Sequence, residues 1–187
     1  MTLAAAAVVL VAAIALASWL IGIYNHLVFL RNQAARAWYN IDVLLKQRHD
    51  EVPKLVAVCE ASAKFERETL DRVISARQSA VAAPSVAARA RAEGELSSAV
   101  GRLLAVSESY PELKTVALFG QLQARLSSLE SEIADRREFF NDAATNFNTR
   151  IETLPDALLA SRVGMKPRDL FKVAAADTAD VEVKFGI

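Results

Sequence analysis

The sequence lacks most of the residues from which catalytic and metal sites are built. It has one cysteine, Cys59, and two histidines among 187 residues. An internal disulfide is therefore excluded, and the usual ligand set of a structural zinc site is missing. No glycine-rich phosphate loop, Gly-x-Ser-x-Gly elbow or His-Glu-x-x-His motif occurs. We therefore predict no cofactor, no metal and no catalytic residue, and we expect a protein that is not an enzyme.

An excess of charge of one sign is also missing. The 22 lysines and arginines equal the 22 aspartates and glutamates, so the formal net charge is zero. Nucleic acid is not an expected partner, because its phosphates require a basic face. Glycine and proline are scarce, at six and five residues, while alanine and leucine dominate. This composition favours long helices, because alanine and unbranched side chains lose little conformational freedom in a helix.

A long apolar run is what the sequence does have, and it lies at the N-terminus. Residues 3–23 carry no charge and are almost wholly apolar. About 20 such residues form a helix of roughly 30 Å, the thickness of a bilayer's hydrocarbon core. Trp19 and Tyr24 lie near the end of the run, where aromatic rings favour the headgroup level. The run predicts a transmembrane anchor over residues 1–24, with membrane lipid as a partner.

The run allows two other interpretations. A buried core helix would show a polar face, and this run has none. A cleaved signal peptide is the stronger alternative, because Ala15-Leu16-Ala17 resembles a cleavage site. Against it, no lysine or arginine precedes the run, and apolar residues continue past the cut.

The lysines and arginines nearest the anchor all lie on its C-terminal side. They are Arg31, Arg36, Lys46 and Arg48. The positive-inside rule therefore predicts that the N-terminus is outside and that the C-terminal domain is cytoplasmic.

Apolar residues continue past the anchor at the three- and four-residue intervals of a helical stripe. They are Leu27, Leu30, Ala34, Ala37, Ile41 and Leu44. We expect the anchor helix to run on until it kinks, breaks or restarts at Pro53. A second helix should end near Val81. Ser85 is the predicted cap of a third helix, which ends at Tyr110-Pro111, and Thr115 is the predicted cap of the last helix.

The last helix, predicted to end at Leu154-Pro155, has the clearest spacing. Phe119, Leu122, Leu126, Leu129 and Ile133 alternate at three and four residues, as in a coiled coil. The same alternation puts Arg136 on this seam, with Arg137 beside it. Because a buried unpaired charge is very costly, one of them should form an ion pair. The candidate partners are Asp42, Asp50 and Glu51.

Polar groups elsewhere support no specific chemistry. Arg48, His49, Asp50 and Glu51 could contribute to a metal or general-base site. We favour a charged helix end, with Asp50 and Glu51 facing the dipole of a helix that restarts at Pro53.

Four other features take their interpretation from neighbouring residues. The cluster Asn141, Asp142, Asn146 and Asn148 beside Phe139, Phe140 and Phe147 either lines a ligand cleft or hydrogen-bonds between helices. Cys59 is predicted to be a core residue. Lys166, Arg168 and Lys172 could contact anionic headgroups. In the tail, Val181-Glu182-Val183-Lys184-Phe185 alternates like a short strand, although we favour a disordered tail.

Several stretches together resemble the LemA family of bacterial membrane proteins. They are YNHLVFLRNQAARAWYNIDVLLKQRHDEVPKLV at 24–56, LLAVSESYPELK at 103–114, LQARLSSLESEIADRREFFNDAATNFNTRIETLP at 122–155 and GMKPRDLFK at 164–172. The resemblance implies an all-α protein of the bacterial inner membrane. Its transmembrane helix would continue into an antiparallel four-helix bundle over residues 25–155, followed by a tail over 156–187.

The resemblance also bears on single residues. It points to Arg137 as the buried arginine. This chain has Ser62 and Phe65 where the family usually has an aromatic residue and a histidine, so a role for that histidine does not transfer. The family has no established enzymatic activity.

These features lead to two hypotheses of function. The first is a membrane-anchored scaffold that self-associates and organises the membrane or recruits envelope proteins. The second is a signalling adaptor that binds a membrane sensor kinase or a protease. The anchor's small residues, which let helix backbones approach closely, predict a homo-oligomer. They are Ala5, Ala12, Ala13, Ala15, Ala17, Ser18 and Gly22.

Overall fold

The computed structural model describes residues 2–62 and 65–172, and this part of the chain is helical, without strands. Its helices are α1 (Thr2–Glu60), α2 (Arg67–Ala82), α3 (Val86–Ser107), α4 (Pro111–Lys114), α5 (Ala117–Glu152) and α6 (Asp156–Arg162). The predicted all-α class is confirmed, and the antiparallel four-helix arrangement stays a prediction. The strand-like stretch at 181–185 lies outside the described residues.

Helix α1 passes through Pro53 without a break, so the predicted break or restart there is wrong. Proline has no N–H to donate to the carbonyl four residues earlier, which belongs to His49. The Nε of Arg77 on α2 donates to that carbonyl instead, over 2.7 Å. A side chain from a neighbouring helix therefore replaces the missing bond, and α1 continues to Glu60.

The predicted caps have different outcomes. The Ser85 hydroxyl accepts a hydrogen bond from the backbone N–H of Ala88 over 3.2 Å, which confirms the N-cap of α3. Thr115 does not cap α5, which begins at Ala117. Its hydroxyl donates backwards to the Glu112 carbonyl over 2.8 Å, where it satisfies a carbonyl at the end of α4.

The buried seam of α5 places Arg137, not Arg136, at the seam position. Arg136 is exposed, whereas Arg137 is half-buried with a buried Nε. After Ile133 the next step is four residues instead of three, and the alternation then resumes at Phe140. A straight helix has 3.6 residues per turn, so a strict 3.5-residue repeat drifts, and an extra step of four restores the register.

The chain forms two compact units, which we name by their contents. The anchor unit includes the residues up to Ile41 and Arg136–Leu170, and the hairpin unit includes Asp42–Asp135. The predicted domain limits at residues 24 and 155 stay predictions.

Each unit has its own core. In the anchor unit, residues of α1, α5 and α6 pack together: Ile23, Leu27, Phe147, Ile151 and Ala160. In the hairpin unit, α2 packs on α3. Residues of α1, α3 and α5 complete its core, among them Val52, Leu55, Cys59, Leu96, Leu103 and Leu126.

The C-terminal end of α6 is closed by a Schellman motif. Gly164 has a positive φ of 69°, a conformation that glycine adopts without steric cost. The backbone N–H of Gly164 donates to the Ser161 carbonyl, and that of Met165 donates to the Ala160 carbonyl. Met165 packs against the core of the anchor unit. The segment after α6 is thereby attached to the helices, although the sequence indicated only a tail.

The apolar run occupies the first part of α1. Within the described residues, α1 is the one helix long and apolar enough to span a membrane, and none of its apolar window is buried by the chain itself. The small residues predicted to pack with other copies, from Ala5 to Gly22, are all exposed.

Candidate functional site: a buried polar cluster on three helices

The candidate site begins with an arginine on the buried side of α1. Leu45, Arg48 and Val52 follow one another at the three- and four-residue steps of a buried stripe on α1, and Arg48 is only 2% exposed. The interpretation of residues 48–51 as a charged helix end is wrong, because the helix does not end there. Asp50 points to solvent, and Glu51 lies 3.0 Å from Lys54 in a surface pair.

Helix α3 supplies the carboxylate that faces this arginine. Glu93 is 3% exposed and precedes Leu96 on the buried side of α3. Its Oε1 lies 2.8 Å from the Nε2 of His49, and its Oε2 lies 3.5 Å from Nη1 of Arg48. One carboxylate of α3 therefore contacts two consecutive residues of α1.

Two further side chains complete the polar cluster. Nη2 of Arg48 donates to the Ser97 hydroxyl on α3 over 2.8 Å, and Nη1 of Arg48 lies 3.3 Å from Oε2 of Glu130 on α5. The Ser97 hydroxyl also lies 2.5 Å from Oε1 of Glu130. The polar cluster, defined as Arg48, His49, Glu93, Ser97 and Glu130, therefore links α1, α3 and α5.

The polar cluster lies at one end of an open groove of about 280 Å³. Arg48, Ser97 and Glu130 form the polar end, and the walls include Val100, Leu104 and Leu126. The guanidinium group of Arg48 contacts protein groups on both of its terminal nitrogens. No group of three His, Cys, Asp or Glu residues in the described chain could hold a metal ion. The arrangement is suited to fixing the register of three helices and to presenting an apolar groove with a charged end.

The other predicted ion-pair residues are not members of the polar cluster. Asp42 contacts Arg89 of α3 in a partly exposed pair. Pairing of Arg136 or Arg137 with Asp42, Asp50 or Glu51 stays a prediction.

The residues of the asparagine cluster of α5 differ in exposure and in contacts. Asp142 and Asn146 are exposed, and Asn141 is half-buried. Asn148 binds the backbone of Arg168. Phe140 and Phe147 are buried and Phe139 is exposed. Cys59 is fully buried, as predicted, and burial raises the pKa of its thiol to about 11.

Sequence reasoning missed three members of the polar cluster. Glu93 lies three residues before Leu96 in an otherwise apolar stripe, so the helical spacing alone could have identified it as buried. Ser97 and Glu130 lie next to the buried positions Leu96 and Leu129, and nothing in the spacing distinguishes them from surface residues.

Comparison with known proteins identifies the family. The model of the LemA family matches residues 37–185. The chain belongs to the LemA family. Protein LemA of Metamycoplasma hominis is 27% identical over 164 residues, which cover 87% of this chain and 72% of the relative. The polar cluster therefore belongs to the LemA-matching region.

Other relatives of this LemA-family chain are named magnetosome proteins. Magnetosome protein MamQ 2 of Paramagnetospirillum magneticum is 37% identical over 81 residues, 43% of this chain and 30% of the relative. Magnetosome protein MamQ of Magnetospirillum gryphiswaldense is 34% identical over 88 residues, 46% of this chain and 32% of the relative. The chain spans less than a third of the length of these MamQ proteins. With the apolar run of α1, the relatives indicate a membrane-associated protein.

Proposed function

We propose that this LemA-family protein is a non-enzymatic, membrane-anchored scaffold that self-associates and organises the membrane or recruits envelope proteins. One observation carries the proposal. The apolar window of α1 is not covered by any other part of the described chain, and the same helix continues without a break into the hairpin unit. Because α1 is continuous, a contact between two anchors would be made by the same helix that contributes to the core of the folded part.

The chemistry of the anchor supports contact with a second copy. In a bilayer, lipid tails are as apolar as leucine, so helices associate through close packing at small side chains. Ala13 and Ala17 are four residues apart and lie on one face of α1, where both are exposed. Two copies could approach closely along this face.

Cross-linking in native membranes tests self-association. We expect the wild type to form cross-linked oligomers and the A13L/A17L variant to lose them, because leucine side chains hold the backbones apart. The control is A4L/V11L, which places two leucines about half a turn away on the same helix, on the side of Ala15, Ser18 and Gly22. It should cross-link like the wild type if copies meet along the face of Ala13 and Ala17. A wild type that stays monomeric at every cross-linker concentration would contradict the proposal.

A second candidate function is a signalling adaptor that binds a membrane sensor kinase or a protease. The groove beside the polar cluster favours it. An apolar groove with Arg48 and Glu130 at one end is suited to apolar side chains of a partner that also carries a polar group. The size of the pure protein in mild detergent separates the two. A large discrete assembly supports the scaffold, and a monomer that assembles only with a partner supports the adaptor.

A further inference from the structure

A second pocket, in the anchor unit, carries an inference that goes beyond the proposed scaffold. It has a volume of about 310 Å³ and lies between α1, α5 and the segment that follows α6. Its lining includes Arg31, Phe147, Met165, Lys166, Pro167 and Arg168. A volume of this size is at the lower end of the range for small-molecule sites, which begins near 300 Å³.

The charge of this basic pocket has one sign. Arg31 comes from α1, and Lys166 and Arg168 come from the C-terminal segment, more than 130 positions later in the chain. No carboxylate of the described residues lines the pocket. Asp169 is the nearest acidic residue in the sequence, but it is exposed and outside the lining. Three cationic side chains line the pocket and no carboxylate does, so the pocket is suited to an anion.

The segment that carries two of these cations is held in place. Asn148 of α5 forms two hydrogen bonds with the backbone of Arg168. Its Nδ2 donates to the Arg168 carbonyl over 2.8 Å, and its Oδ1 accepts from the Arg168 N–H over 2.8 Å. The Schellman motif at Gly164 fixes the other end. The pocket is therefore formed before any ligand arrives, which lowers the entropic cost of binding.

The position of Arg31 along α1 relates the basic pocket to the membrane surface. Arg31 lies seven residues after Tyr24, about 10 Å along the helix from the end of the apolar run. The headgroup layer extends roughly 6 Å beyond each side of the hydrocarbon core. A long arginine side chain extends towards that layer while its stem stays on the helix. Arg31 is thus within reach of lipid phosphates.

We propose that the basic pocket binds the phosphate of an anionic phospholipid headgroup. Arg31 and Lys166 contact the phosphate oxygens, since guanidinium and ammonium groups are the usual partners of phosphate. Phe147 and Met165 provide an apolar wall for the carbons of the headgroup. A free phosphate ion offers the same chemistry, but the short distance to the anchor favours the lipid.

The test uses the full-length protein in a neutral detergent, with native mass spectrometry to count bound lipids. We expect phosphatidylglycerol to be retained at least tenfold more than phosphatidylcholine. The R31Q/K166Q variant should lose most of this preference, on the order of fivefold per cation removed. The matched control is R36Q/R162Q, which also removes one arginine of α1 and one cation of the C-terminal region. Both control residues are exposed and do not line the pocket, so the preference should fall less than threefold.

A second variant tests the fixed segment while every cation is kept. N148A removes both hydrogen bonds to Arg168, so we expect a preference between those of the wild type and R31Q/K166Q. Thermal unfolding in detergent should be unchanged for R31Q/K166Q, because both side chains are exposed.

Four results would overturn the proposal. The first is equal loss in R31Q/K166Q and R36Q/R162Q, which would mean general attraction only. The second is equal retention of the two lipids by the wild type. The third is N148A binding phosphatidylglycerol like the wild type. The fourth is displacement of the lipid by inorganic phosphate at an equal concentration, which would mean a site for soluble phosphate.

Discussion

At the scale of single residues, the polar cluster has charged side chains at buried helix positions where the spacing predicts apolar residues. Arg48 and Glu93 are both less than 4% exposed, on the seams of two different helices. Two buried charges lose their hydration, and their mutual attraction compensates only when both are present. The two residues are therefore interdependent.

Removal of one charge should destabilise the protein more than removal of both. We expect R48M to cost about 3 kcal/mol, because Glu93 stays buried without its arginine. The double variant R48M/E93L should cost less than R48M alone, since only the His49 ring then lacks its partner, which costs less than an unpaired buried charge. Chemical denaturation in mild detergent measures both. K54M, which breaks an exposed pair on the same helix, should cost less than about 0.5 kcal/mol. A double variant that is less stable than R48M would contradict the interdependence.

Cys59 should be unreactive in the folded protein. The thiolate is the reactive form, and burial raises the thiol pKa from 9.0 to about 11, so the thiolate fraction at neutral pH falls about 100-fold. The folded pKa lies above the unfolded value, so the stability linked to the protonated thiol is complete below pH 9.0 and is lost as pH rises through about 11. Maleimide labelling of the native protein should be negligible at neutral pH and complete in denaturant. Rapid labelling of the native state would show that Cys59 is accessible.

At the scale of elements, the continuity of α1 depends on a contact with α2. Pro53 leaves the carbonyl of His49 without its helical partner, and Arg77 donates to it over 2.7 Å. The proline and the arginine therefore depend on each other, although they lie on different helices.

A double-mutant cycle tests whether Arg77 compensates for Pro53. R77M should cost about 1–3 kcal/mol, because a carbonyl in a buried setting loses its donor. In a P53A background, which restores the backbone N–H, R77M should cost less than about 0.5 kcal/mol. R72M is the matched control on α2, because Arg72 forms an exposed pair with Glu68. Equal costs of R77M in both backgrounds would show that the arginine acts in some other way.

The buried seam of α5 illustrates how far spacing alone can be extended. The alternation of three and four residues identified the buried positions from Phe119 to Ile133 correctly. It failed at the next step, because a helix with 3.6 residues per turn periodically needs a second step of four. Arg137 therefore lies on the seam, and Arg136 faces solvent.

At the scale of the whole molecule, the orientation in the membrane can be tested directly. The arginines that follow the apolar run predict that the folded part is cytoplasmic. A cysteine introduced at Ser128, which is exposed, should be shielded from an impermeant reagent in intact cells and should react after lysis, in a protein with Cys59 replaced by alanine. Labelling in intact cells would place this part of the chain outside.

The sequence by itself determined the features that depend on neighbouring residues. The uncharged run predicts the anchor, the apolar periodicity predicts α5, and a serine before a helix predicts the cap at Ser85. Each of these rests on residues within one element, so the chain need not be folded for the pattern to be visible. The burial of Cys59 follows from its place in the same kind of stripe.

The tertiary structure alone decided which distant side chains meet. Arg77 is 28 residues from His49, and Glu93 is 45 residues from Arg48. No local pattern predicts that an arginine will replace a helical hydrogen bond at Pro53, or that a buried arginine will find its carboxylate on α3. The basic pocket also needed the fold, because Arg31 and Lys166 are brought together by the packing of α6 and its Gly164 turn. Partners of this kind are selected by packing between helices, and local sequence patterns contain no information about that packing.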